Sequence, residues 1–156
     1  MAVPVSRGRP YLNFNFLVDL GMGNAGGTDT SFQAGFQECS VIGTEVTVAE
    51  YRNGNARYNN VMKITGINKS QDLTLKRGCG ASVHLYKWLD QIRTGDQLAR
   101  RTVTIHLQSE DHKSVMSWKL KEARPTKINF GSFNAKGTDV LMEELVLAYE
   151  QLELDL

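Results

Sequence analysis

Alternating apolar and polar side chains predict β-strands along most of this 156-residue chain. In the first stretch, Leu12–Leu20, every second residue is apolar, which is the pattern of a strand with one buried face. The same reasoning predicts strands at 32–40, 45–52, 61–67, 72–76, 103–107 and 116–120. Pro125 is expected to end the last of these, because proline cannot donate to a strand ladder.

One segment has a different period. Between Ser82 and Arg93, apolar residues follow the i, i+3, i+4, i+7 spacing of an amphipathic helix, at Leu85, Trp88, Leu89 and Ile92. Ser82 is placed to cap the start of this helix, and Gly95 to end it. Trp88, like Trp118 on a strand, is expected to pack in the core.

The C-terminal segment, Val140–Leu154, allows two interpretations. It is rich in helix formers, and a helix would align Leu141, Leu145, Ala148 and Leu152. A strand would instead place on one face Leu141, Glu143, Leu145, Leu147 and Tyr149. Residue propensity alone favours the helix.

A long polar hairpin is predicted between the strands at 45–52 and 61–67. Its tip has almost nothing to bury, so it is better suited to reaching a neighbouring molecule than to filling a core. The candidate contact residues are Arg52, Asn53, Asn55, Arg57, Tyr58, Asn59 and Asn60.

Composition removes several classes of function. With 18 basic and 17 acidic residues, the charge gives no case for specific binding to nucleic acid or to an anionic membrane. No apolar run approaches the ~20 residues that span a bilayer, and no secretory signal is visible. Cys39 and Cys79 match no disulfide or zinc pattern, so we expect reduced thiols in one domain, 1–156, that folds in the cytoplasm.

No catalytic, cofactor or metal site is predicted. Gly21–Gly26 spells GxGxxG, but turn residues follow where a nucleotide site needs a helix. The histidines, which have no ligand spacing and are expected on the surface, are His84, His106 and His112. Strand alternation without a bulge would put Glu143 and Glu153 on one face, and Glu144 and Glu150 on the other. We expect these carboxylates to set surface or lumen charge.

The order of motifs resembles the tail tube proteins of contractile phage tails and of phage-tail-like contractile injection systems. The motifs are FNFLVDL, GFQECSVIG, EYRNGN, LTLKRG, LYKWL, TVTIHL, WKLKEARP and FNAKGTDVLMEELVLAYEQLEL. The resemblance implies that Val140–Leu154 is mainly β, against its propensity. It implies a mainly β fold of about seven strands, a small antiparallel barrel or sandwich with one packed helix and the long polar hairpin.

The resemblance also implies a structural protein, not an enzyme, that forms stacked hexameric rings around a lumen passing cargo. The expected partners are further copies of the chain, a sheath protein, and baseplate and cap or terminator proteins. Assembly is expected in the cytoplasm, in a particle that is released or membrane-anchored. The alternatives are a tube-initiating baseplate protein of the same particle and a monomeric β-barrel ligand-binding module.

Overall fold

The structure, a computed structural model, describes residues 8–21, 33–80 and 83–156. These residues form ten strands and one α-helix, which confirms the prediction of a mainly β fold with a single helix. The elements are β1 Phe16–Asp19, β2 Gln33–Ala34, β3 Glu38–Cys39, β4 Thr44–Tyr51, β5 Met62–Ser70, β6 Leu73–Gly78, α1 His84–Arg93, β7 Arg101–Gln108, β8 Ser114–Phe130, β9 Met142–Ala148 and β10 Gln151–Asp155.

The main sheet is antiparallel throughout and runs in the order β2-β1-β7-β8-β9-β6-β3. Its two terminal strands, β2 and β3, are separated by only three residues, 35–37. One short segment of chain therefore pairs with both β1 and β6, drawing the ends of the sheet towards each other. This exchange of partners explains why the single strand predicted at 32–40 is two short strands in the described part, 33–40.

The prediction that Pro125 ends a strand is wrong. β8 continues to Phe130, pairing first with β7 and then with β9. Pro125 is buried at the irregularity between Pro125 and Lys127, where the pairing register shifts. Proline is compatible with such a position because a bulge leaves one backbone N–H out of the ladder.

The C-terminal segment is β-structure, as the family resemblance implied. β9 lies between β6 and β8, and its inward side chains include Leu145 and Leu147, both fully buried. β10 continues along β8 after a break at Tyr149–Glu150. Burial between two strands outweighs the helix propensity of the segment.

The first strand is shorter than predicted. β1 spans only Phe16–Asp19, and the side chains of Leu12 and Phe14 are 55% and 63% exposed. The reason is that β7, its partner, ends at Gln108, opposite the residue before Phe16. Alternation in the sequence continues beyond the point at which a pairing partner exists.

The helix closes the core on one side. Leu85 and Trp88 are buried in it, while Leu89 and Ile92 are half-buried. The indole Nε1 of Trp88 donates to the carbonyl of Ala99 at 2.6 Å. The helix ends before Gly95, whose φ of +86° suits glycine. The predicted cap Ser82 lies outside the described residues; the helix begins at His84 without a side-chain cap.

Within the described ranges, fifteen buried apolar residues form the core, and they come from the sheet, the helix and the loops between them. They are Val18, Leu20, Phe36, Leu73, Leu75, Leu85, Trp88, Ala99, Val103, Ile105, Leu120, Ala123, Leu145, Leu147 and Tyr149. None belongs to β4 or β5, so the hairpin made by those two strands is not held by the core.

Candidate functional site: the free hairpin and the apolar groove

β4 and β5 form a separate two-stranded sheet, paired from Thr44↔Ser70 to Tyr51↔Met62. Among the described residues these strands pair only with each other, and nearly all of their side chains are exposed. An isolated two-stranded hairpin is marginally stable in water. Its long unpaired edges are therefore a surface that a partner is needed to cover.

The two faces of the hairpin differ in chemistry. The cross-strand pairs Tyr51↔Met62 and Ala49↔Ile64 lie on one face, because paired residues and residues two apart share a face. Tyr51, Met62 and Ile64 are 52%, 56% and 53% exposed. The opposite face carries the pair Glu50↔Lys63 near the tip. Near the tip, one face of the hairpin is therefore apolar and the other carries this charged pair, whereas nearer the base the face of Glu50 continues along β4 as Val48 and Val46.

The register of the hairpin is set by an irregularity at its middle, where β5 has one extra residue between the partners of Val46 and Val48. Thr47 Oγ1 donates to the carbonyl of Ile67 at 2.9 Å across this site. A Cβ on Gly66 would lie 2.7 Å from the same hydroxyl oxygen, so only glycine fits without movement. Since a one-residue slip of β5 would move Met62 and Ile64 to the other face, this site fixes which face is apolar near the tip.

All seven predicted contact residues lie together at the exposed tip of the hairpin. They are Arg52, Asn53, Asn55, Arg57, Tyr58, Asn59 and Asn60. The Arg52 guanidinium donates to the carbonyls of Tyr58 at 3.2 Å and Ala56 at 3.3 Å. The Tyr51 hydroxyl donates to Asn53 Oδ1 at 2.8 Å. These bonds join residues within the tip, while the Tyr58 ring, 78% exposed, faces solvent.

An open apolar groove of about 300 Å³ lies on the body of the molecule, and sequence reasoning did not find it. It is lined by Asn13, Phe16, Cys39, Ser40, Ile42, Ile105, Leu107 and Trp118. Phe16, Leu107 and Trp118 follow the alternation of their strands but are only half-buried, because the core ends before it covers them. Burial at the groove raises the pKa of the Cys39 thiol to about 11, so it is protonated at neutral pH.

A buried ion pair joins β6 to β9. Arg77 Nε donates to Glu143 Oε2 at 2.9 Å, and the two side chains are only 11% and 3% exposed. The Arg77 guanidinium also lies 5.8 Å from the centre of the Phe36 ring, and its Nη2 is buried without a hydrogen-bond partner. The expectation that Glu143 sets surface or lumen charge is therefore wrong: the strand places it inside, beside Leu145.

The predicted sharing of a face by Glu143 and Glu153 is also wrong. The break at Tyr149–Glu150 shifts the alternation, so Leu152 faces inward opposite Leu120 and Glu153 faces outward. On this outer face Glu153 accepts from Lys121 Nζ at 2.6 Å, and Asp155 accepts from Lys119 Nζ at 3.1 Å. Glu153 is thus part of a charged sheet face, as expected of a surface carboxylate.

The remaining candidates for chemistry are dispersed. His112 is exposed in the β7–β8 turn, whereas His84 and His106 are half-buried. His106 Nδ1 lies 2.7 Å from Ser117 Oγ on the neighbouring strand, which accounts for its partial burial. Apart from Gly21, the GxGxxG segment lies outside the described residues. Within the described ranges no three His, Cys, Asp or Glu side chains cluster to hold a metal ion, and no helix is long and apolar enough to cross a membrane.

The antiparallel β fold with one packed helix is shared with chains in solved structures of phage-tail-like particles. A chain in the cryo-EM structure of the anti-feeding prophage (AFP) baseplate, 6-fold symmetrised, superposes with a TM-score of 0.80 at 23% identity, over 95% of this chain and 97% of that one. A chain of the extracellular contractile injection system PVC, in its sheath-tube complex in the extended state, superposes with a TM-score of 0.79 at 23% identity. The match covers 95% of this chain and 93% of that one. A chain of the AFP tube terminating cap superposes with a TM-score of 0.80 at 22% identity, over 99% of each chain.

The family model described as T4-like virus tail tube protein gp19 matches residues 12–153, and the chain belongs to this family. The family is structural and is not known as enzymatic. A comparison with curated protein sequences gave no significant match.

Proposed function

We propose that this chain, acting as a single domain, is the main inner-tube subunit of a phage tail or phage-tail-like contractile injection particle. It forms hexameric rings that stack around a lumen through which cargo passes. The observation that carries the proposal is the β4–β5 hairpin, which lies outside the core and exposes its polar tip and an apolar face next to the tip. In the tube, the hairpin tip residues contact a neighbouring subunit.

Unpaired strand edges support the same assembly. β10 pairs with β8 along one side only, and β4 and β5 each have an edge without a partner among the described residues. Such edges lead to aggregation unless they are covered. A head-to-tail contact that closes by rotation covers every edge equally and gives a ring, and stacking of rings extends it into a tube.

The proposed partners are a sheath protein around the tube, and baseplate and cap or terminator proteins at its ends. These come from the structures in which the related chains occur, namely a baseplate, a sheath-tube complex and a tube terminating cap. The particle assembles in the cytoplasm and acts after release or from a membrane anchor. We propose no nucleic-acid or membrane binding by this chain.

The second candidate is a tube-initiating baseplate protein, favoured by the similarity to a chain of the AFP baseplate. Quantitative mass spectrometry of purified particles separates the two roles. A main tube subunit is present in many copies for each baseplate component, whereas a tube initiator forms one ring. A ratio of one ring per particle would contradict the proposed role and establish the initiator.

Native mass spectrometry of the purified chain, with and without co-expressed tail components, tests the assembly. We expect hexamers or larger multiples of six. A chain that stays monomeric even when all tail components are present would contradict the proposal.

The tip is tested by replacing residues 53–60 with a short Gly-Ser turn. Because these side chains are exposed and bond mainly to each other, the circular dichroism spectrum should stay close to that of the unchanged chain while tube growth is lost. The control is a Gly-Ser replacement of the same kind in the β7–β8 turn at residues 110–112, which should assemble. Normal tubes from the tip variant would rule out this role for the tip.

A further inference from the structure

We propose that the apolar groove receives the apolar face of the β4–β5 hairpin from a second copy of the same chain. The groove is the open space lined in part by Phe16, Ile42, Leu107 and Trp118, and the hairpin face is that of Tyr51, Met62 and Ile64. This inference rests on the proposed function and names the surface that the neighbouring subunit supplies to it.

The chain cannot fill the groove with its own hairpin. Ile42 lines the groove, and β4 begins only two residues later at Thr44, so the hairpin starts at the edge of the groove. Nine residues of β5 carry its tip about 30 Å away at the usual rise of a strand. Folding back would require breaking the β4–β5 ladder near its base. The hairpin that enters the groove therefore belongs to another molecule.

The groove is large enough to take about two of the three large side chains on the apolar face of the hairpin. A cavity of about 150 Å³ is enough for a benzene molecule, so a groove of about 300 Å³ takes about two large side chains. At about 200 Å² for a large side chain, the half-exposed Tyr51, Met62 and Ile64 offer roughly 300 Å² of apolar surface. A stable interface needs about 800 Å² from each partner, so the contact needs more surface than this face, and the exposed tip residues lie next to it.

The charges favour a head-to-tail contact over a contact between two hairpins. Residues 44–70 carry four basic side chains, Arg52, Arg57, Lys63 and Lys69, against Glu45 and Glu50, a net charge of +2. Since the whole chain is +1, the rest of it is −1. The residues that line the groove carry no charge, and the nearby Glu38 is paired with Lys76 at 3.9 Å. Two hairpins of net charge +2 would therefore repel each other, whereas the groove offers a hairpin no like charge.

The arrangement has a direct consequence for assembly. Every copy offers a hairpin and a groove on different parts of its surface, so the contact is heterologous and can be repeated around a ring. The groove of an isolated copy is incomplete, since its half-buried Phe16, Leu107 and Trp118 gain a cover only from the neighbour.

Cysteine cross-linking between subunits tests this contact, using the native Cys39 in the groove. The background is Cys79→Ser, which removes the exposed second thiol. Ile64→Cys places a thiol on the apolar face, and the control Lys63→Cys places one on the opposite face of the same strand. A disulfide needs Cα atoms about 4.4–6.8 Å apart. After assembly and oxidation with copper phenanthroline, we expect at least tenfold more intermolecular disulfide with Ile64→Cys than with Lys63→Cys.

The outcomes separate this inference from the proposed function. If tubes form but the two variants cross-link equally, or the bond forms within one chain, the groove contact is wrong while the tube role stands. If the background chain, Cys79→Ser, forms no rings or tubes, the proposed function itself fails. If Ile64→Cys alone blocks assembly, Met62→Cys on the same face replaces it, with the same expectation.

Alkylation of Cys39 in the Cys79→Ser background distinguishes other occupants of the groove. We expect the rate with a maleimide to fall at least tenfold between dissociated subunits and tubes at the same pH. Equal protection in both states would mean that a bound small molecule or another part of the same chain covers the groove, which would overturn the inference.

Discussion

Replacing Glu143 by glutamine is a small change in size, but it should destabilise the subunit strongly because it removes a buried charge. Glu143→Gln keeps the shape of the side chain and removes its negative charge, leaving the Arg77 guanidinium buried. That guanidinium already has one nitrogen, Nη2, without a hydrogen-bond partner. In the described part of the chain, no second carboxylate pairs with this guanidinium to compensate for the lost charge.

The expected cost follows from burial. Both side chains are almost fully enclosed, at 11% and 3% exposed, so solvent cannot take over the role of the missing charge. Breaking such a pair by removing one partner costs about 3–5 kcal/mol. Replacing both, as in Arg77→Met with Glu143→Leu, should cost much less than either change alone, because no buried charge then remains.

Urea unfolding of dissociated subunits, followed by the fluorescence of the two tryptophans, measures these free energies. Glu38→Gln is the matched control: it breaks the pair of Glu38 with Lys76, the residue before Arg77, but at 3.9 Å and with side chains 64% and 41% exposed. We expect a loss below ~1 kcal/mol there. The reasoning is refuted if Glu143→Gln costs no more than the control, or if the double variant is as unstable as the single one.

Two further predictions concern the helix and the histidines. Trp88→Ala should lower the free energy of unfolding in urea by about 3–5 kcal/mol. The change leaves a cavity in the core, and it leaves the carbonyl of Ala99 without its donor. A loss below ~1 kcal/mol would mean that Trp88 is not a core residue. Simultaneous replacement of His84, His106 and His112 should leave tube assembly and injection unchanged by microscopy and delivery assays, and loss of a hydrolytic activity from such particles would contradict a purely structural role.

Alternation in the sequence predicted the positions of most strands but not where their pairing ends. Leu12 and Phe14 continue the pattern of β1 and are exposed, because β7 does not extend far enough to pair with them. Pro125 was a misleading stop signal, because β8 changes partner from β7 to β9 just there and the bulge accepts a proline. Both errors depend on neighbours that are distant in the chain.

The candidate site was predicted in part. The polar tip between β4 and β5 could be located from the sequence, because its residues interrupt two apolar alternating runs. The groove could not, since Phe16, Cys39, Leu107 and Trp118 meet only after β1, β3, β7 and β8 have been placed in the sheet. The burial of Glu143 depends likewise on the pairing of β9 with β6, which brings Arg77 opposite it.

The C-terminal segment shows how packing decides between two local structures. Its helix formers favoured a helix, and the family resemblance favoured a strand. Leu145 and Leu147 are fully buried on β9, which lies between β6 and β8. A helix at this place could not bury every second side chain of the segment in this way.

Negative-stain electron microscopy of the purified protein tests the central claim most directly. The account predicts rings of six subunits with an open lumen, stacked into tubes of uniform width, in the absence of any other component or on addition of the baseplate. A field of separate monomers under both conditions, with the circular dichroism of a folded β protein, would contradict it.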